Sequence, residues 1–153
     1  MLIALGIGGP VGYAAAVIYS IANALNKALL FLSVEVRGWL IATAFAVGAF
    51  SVAGVPPTAG FFGKLELFRA GIEEESAALV ALMFLGGALS FVYMFQIYQH
   101  DFWRGEPTRK PSPALMRAVP VALTALVVAL GVWPEPLLAV GREAAQVLAE
   151  AQR

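Results

Sequence analysis

Lys27 and Lys64 stand in apolar sequence, Lys27 far from any other charge and Lys64 at the end of a long uncharged run. Residues 1–34 carry one formal charge, Lys27, and residues 38–63 carry none. A lysine near the middle of a membrane-crossing segment costs about 3 kcal/mol on insertion scales; such residues face polar cavities and mark ion paths. The chemistry open to an isolated amine in such surroundings is reversible protonation. Snorkelling to the interface is the bland alternative for Lys27, but Arg37, at the nearer segment end, lies about ten residues away. Ser20, Asn23 and Lys27 follow at i, i+3 and i+7 on one helical face, with Tyr19 on the adjoining strip. Serine and asparagine alone would make an interhelical hydrogen-bond seam. With a lysine among them, the same face is a candidate proton path.

Lys64 closes a second informative stretch, Gly54-Val55-Pro56-Pro57-Thr58-Ala59-Gly60-Phe61-Phe62-Gly63-Lys64. Proline removes a backbone donor and clashes with the carbonyl four residues back, so Gly54, Pro56, Pro57 and Gly60 must interrupt any helix here. The apolar run 39–68 is about 30 residues long, too short for two complete spans of about 20 and a loop. A surface loop would also carry charge, and this turn has none. One span with an unwound middle is therefore expected, with half-helices near 39–53 and 61–70. Unwound backbone at membrane depth survives only where protein or a water-lined cavity satisfies it, and transporters use such half-helix ends as ion sites. Lys64 would fall in the first turn of the second half. The positive dipole end and the loss of water both disfavour its charge there, which predicts a lysine that gives up its proton readily. Glu66, two residues on, points to the opposite side; it either joins the ion path or pairs with Arg69 at i+3.

These segments belong to a chain of 153 residues that is 60% hydrophobic and 13% charged, with mean hydropathy +0.80. Soluble domains carry about 25% charged residues. Residues 76–99 and 118–134 are also free of formal charge. The fold class is all-α, a polytopic membrane protein, multi-pass in the cell membrane with the lipid bilayer as its first partner. Zero net charge gives no case for nucleic acid. The absence of cysteine excludes disulfides, thiolate metal sites and iron–sulfur clusters, and the single histidine, His100, cannot build a metal site alone. No phosphate loop, dinucleotide fingerprint or nucleophile triad is present, so neither a cofactor nor a redox centre of its own is expected.

In chain order, residues 1–8 read as the last turns of a helix, and the Gly8–Gly12 cluster as a turn. No basic stretch precedes the apolar start, which argues against a signal peptide. Spans are expected near 13–36, 77–102 and 118–133, the last without features beyond lipid or helix packing. Glu73-Glu74-Glu75 is a solvated turn, Gly86-Gly87 permits close packing, and Tyr98, Phe102 and Trp103 form an interfacial belt beside His100 and Asp101. The proline-rich basic loop 104–117 belongs on the cytoplasmic side by the positive-inside rule. Residues 137–151 carry an apolar face of Leu137, Val140, Ala144, Val147 and Leu148, predicting an interfacial amphipathic helix.

The stretch Ser20-Ile21-Ala22-Asn23-Ala24-Leu25-Asn26-Lys27-Ala28-Leu29-Leu30-Phe31-Leu32 resembles the lysine-bearing helix of the antiporter-like proton-translocating subunits. These are shared by respiratory complex I, membrane-bound hydrogenases and multisubunit cation/proton antiporters. Residues 51–64 resemble that family's discontinuous-helix signature, and Gly131-Val132-Trp133-Pro134-Glu135-Pro136-Leu137-Leu138 is similar to the C-termini of such subunits in the multisubunit antiporters. The resemblance implies inverted five-helix repeats, of which this chain would hold most of the second. Residues 1–103 would form the proton-translocating part, 104–117 the cytoplasmic loop, and 118–153 the last span and tail. It implies that Lys27 is the connecting or central protonatable lysine and Lys64, at the break, the lysine exchanging protons with one side. Many members have histidine where this chain has Asn23, which cannot titrate and would need water. The implied function is a proton-conducting subunit of a multisubunit sodium/proton antiporter, with other membrane subunits, protons and a monovalent cation as partners. The alternative is the equivalent pumping subunit of a redox-driven NADH:quinone oxidoreductase or membrane-bound hydrogenase.

Overall fold

A computed structural model describes residues 2–34, 36, 38–103 and 113–150. Most of the basic loop, together with Glu35 and Arg37, lies outside the described residues. Among the described residues all regular structure is helical: α1 (Leu2–Ile7), α2 (Gly9–Val34), α3 (Trp39–Ala53), α4 (Ala59–Glu73), α5 (Ala77–Tyr98), α6 (Ala114–Val132) and α7 (Glu135–Glu150). One turn of π-helix, Gln99–Trp103, extends α5.

The expected turn at Gly8–Gly12 is shorter than its composition suggested. Only Gly8 and Gly9 take positive φ, 72° and 65°, and α2 begins at once because Pro10 is tolerated in a helix's first turn. At 26 residues α2 is about 39 Å long, enough to cross a bilayer.

α3 and α4 have 15 residues each, about 22 Å, so neither crosses alone. They succeed one another along the length of α2. Gly48 of α3 packs on Leu29 and Leu30, Gly63 of α4 on Tyr19 and Ala22, and Leu67 and Ala70 share a buried cluster with Ala15 and Ala16. α5 repeats the order on the other side: Phe45 stacks with Tyr98, Phe50 with Phe91, Phe68 against Phe84, and Gly71 meets Val80. α3 and α4 are thus two halves of one discontinuous span, antiparallel to both neighbours. The break between them lies at the depth of Asn23 and Asn26, near the middle of α2.

The C-terminal part departs from expectation in its details. The last span packs against its neighbours, as expected, but at a specific place: Val127 joins the main core of Ile18, Ala22, Leu29, Ala44, Ala59 and Leu137, and Pro120 is also fully buried. Gly131 lies so close to the break that a Cβ there would stand 2.2 Å from the Pro57 carbonyl oxygen. α6 therefore braces the Pro-Pro turn. The 116–132 part of α6 and α7 are bent by 76° at Trp133 and Pro134. Most of the predicted apolar face of α7 stays exposed, and the helix docks through other residues. Leu137, Gly141 and Ala145 are buried, whereas Val140, Val147 and Leu148 are exposed. Small residues win because they allow a close approach to α2; a Cβ on Gly141 would stand 2.5 Å from the Ile18 side chain.

Candidate functional site

The site is built from the ends of the two half-helices. α3 stops at Gly54, whose φ of 83° is the left-handed C-cap conformation that glycine adopts without a Cβ penalty. The Gly54 and Val55 N–H groups donate back to the Ser51 and Phe50 carbonyls at 3.0 and 2.9 Å. The Pro56–Pro57 bond is cis. Thr58 enters α4 without a side-chain cap of its own. Ser51 supplies one instead across the break, its Oγ accepting from the Gly60 N–H at 3.1 Å. That contact requires Gly60, because a Cβ would stand 1.9 Å from the Ser51 carbonyl oxygen.

α4 begins at Ala59, two residues earlier than expected, which places Lys64 in its second turn. The dipole expectation is corrected accordingly. Macrodipole effects fade beyond the first turn, and the side chain runs back towards α3, where Nζ donates to the Ala53 carbonyl at 2.9 Å. The ammonium thus rests on the negative end of the preceding half-helix, on a carbonyl freed by the break. Two glycines shape its slot: a Cβ on Gly54 would stand 2.7 Å from Lys64 Cδ, and one on Gly87 of α5 would stand 3.0 Å from Nζ.

Lys64 lines two cavities. One, of about 590 Å³, is bounded by Asn23, Asn26 and Lys27 of α2, Ser51 and Gly60 at the break, and Ser90 of α5. The other, of about 540 Å³, lies between the break and α5 and is walled by Val55, Phe61, Phe84 and Phe91. The first cavity brings the predicted Lys27, Lys64 and Asn23 together. Lys27 is exposed and Asn23 half-buried. It does not bring in Ser20, whose hydroxyl donates to the Ala16 carbonyl at 2.6 Å. Nor does Glu66 line it: among the described residues the cavity wall has no carboxylate. Arg69 pairs with Glu73 at 3.4 Å rather than with Glu66, and at 65% and 48% side-chain exposure that pair contributes little.

Sequence reasoning did not single out Asn26, Ser51 or Gly87 as site residues. Asn26 is 2% exposed and its Oδ1 has no hydrogen-bond partner among the described protein atoms. A signal was available: a second asparagine, one residue before the lysine, in an otherwise apolar helix. For Ser51 and Gly87 the sequence offered only a place in the break signature and a close-packing glycine pair, since their roles depend on which helix approaches.

Residues 35–90 match the family described as "NADH:quinone oxidoreductase/Mrp antiporter, TM". The chain is 27% identical to F(420)H(2) dehydrogenase subunit N of Methanosarcina mazei, over 91% of this chain and 34% of that protein. It is 33% identical to NADH-quinone oxidoreductase subunit N 2 of Syntrophobacter fumaroxidans, again over 91% of this chain and 34% of the relative. Among solved structures, the Mrp complex from a Dietzia species matches 93% of this chain and 39% of its own, with a TM-score of 0.79 at 25% identity. The chain therefore spans about a third of the length of these relatives.

Proposed function

Starting from a chain that belongs to the antiporter-like membrane subunits, we propose that it carries protons through the cavity joining Lys27 to Lys64. The observation that carries this reading is the placement of both lysines on one cavity beside a helix broken near mid-depth. Lys64 also lines the second cavity, so an amine leaving the Ala53 carbonyl has two spaces in which to exchange its proton. Asn23 does not titrate; it holds water along which a proton passes. Two lysines and, among the described residues, no carboxylate on the wall favour protons over a metal cation, which seeks anionic or carbonyl oxygens.

The chain acts in the cell membrane as one subunit of a larger assembly. A redox-driven complex is the better-supported setting, because the sequence relatives carry dehydrogenase and NADH-quinone oxidoreductase names. The multisubunit sodium/proton antiporter is the second reading, supported by the likeness to the Mrp complex. In either setting this chain supplies the proton path, and electron transfer or sodium selection belongs to other parts. The test is proton uptake by vesicles containing the assembled complex with Lys64→Ala. Loss of uptake with normal assembly is expected; unchanged uptake sinks the site assignment. Driving the same vesicles with a reduced electron donor, then with a sodium gradient, separates the two settings.

A further inference from the structure

Asn26 sits on α2 four residues after Ala22, which packs on Gly63, and four before Leu30, which packs on Gly48. Its side chain thus faces the interval between the two half-helices. The residue is 2% exposed, its Oδ1 is unpartnered, and it also borders the cavity shared by Lys27 and Lys64. An orphaned buried amide oxygen is costly, and leucine would fill a similar volume without that cost. A polar group kept there at such expense needs a donor. The neighbouring space is roomy enough for several waters, at about 30 Å³ each.

We infer that Asn26 is a positioning residue that orders water at the break and so bridges the two lysines. The inference rests on the proton-path reading above. Waters filling that cavity have Asn23, Ser51 and the lysine amines along the same wall as further polar partners, of which a buried water requires two to four. A metal cation is the less favoured occupant, because the same wall carries Lys27 and Lys64 and, among the described residues, no carboxylate. The bridge moves no electrons and breaks no bond of Asn26: a proton leaves one amine, passes through water, and arrives at the other.

The test compares Asn26→Leu, Asn26→Ser and Lys64→Ala in the assembled complex, reading proton uptake in vesicles and thermal unfolding. Asn26→Leu should lower uptake about tenfold while unfolding stays unchanged or moves upward, and Asn26→Ser should recover part of the uptake. The opposite directions of stability and transport distinguish a water-ordering amide from a packing one. Uptake by Asn26→Leu within twofold of the parent overturns the inference, as does a joint loss of uptake and stability that serine fails to repair. A changed half-saturating sodium concentration with proton uptake intact overturns it in favour of a cation ligand. If Lys64→Ala also transports normally, the proton-path reading itself has failed; if Lys64→Ala is inactive and Asn26→Leu is not, only the bridge has.

Discussion

Gly87 offers the sharpest test of how Lys64 is held. A methyl group at this position of α5 would stand 3.0 Å from Nζ, whereas one at the adjacent Gly86 meets nothing within 4 Å. Both changes raise helix propensity alike, by up to about 1 kcal/mol, so comparing them cancels that effect. At 3.0 Å the flexible lysine must yield by a few tenths of an ångström, which disturbs its 2.9 Å bond to the Ala53 carbonyl. A charge-assisted bond lost outright is worth about 1.5–3 kcal/mol. This one is only weakened, and its donor borders open cavities where water compensates, so about 1 kcal/mol is the better figure. That corresponds to about a fivefold fall in proton transport for Gly87→Ala. Gly87→Leu, which fills the slot, should fall by more than tenfold. The assay is initial proton uptake in vesicles, normalised to assembled complex. Equal rates for Gly87→Ala and Gly86→Ala would refute the claim that α5 sets the position of Lys64.

Ser51→Ala removes the cap from the first turn of α4 and should destabilise the assembled protein by about 1 kcal/mol, read as a lower unfolding temperature. Gly60→Ala places a methyl group 1.9 Å from the Ser51 carbonyl oxygen, so the half-helices must separate. It should cost several times more than Ser51→Ala; unfolding at the parent temperature would contradict the packed break. Gly141→Leu should detach α7 from Ile18 on α2 and expose sites in 135–150 to limited proteolysis, while a resistant tail would argue against that contact.

Much of this organisation is legible in the sequence because membrane burial leaves coarse signatures. Charge-free windows set the helices, and prolines with glycines set the break. The run 39–68 was too short for two spans, which is why the discontinuous helix was readable before any contact was known. Lys27, Lys64 and Asn23 stood out for the same reason: polar groups are costly in that solvent, so each one kept there is informative.

The tertiary structure decided what depends on approach and direction. It set Lys64 on the carbonyl of α3 rather than under the dipole of α4, because the side chain is long enough to reach back across the break. It separated Asn26 from Ser20, two polar residues on one helix: one faces the break, and the other satisfies its own backbone. It docked α7 through Leu137, Gly141 and Ala145 and left most of its apolar face exposed, since small residues let helices come close and hydrophobicity alone does not record that. Composition and spacing thus fix which residues are expensive to keep. Only the packed chain shows what each one meets, because a contact belongs to two segments and a local pattern describes one.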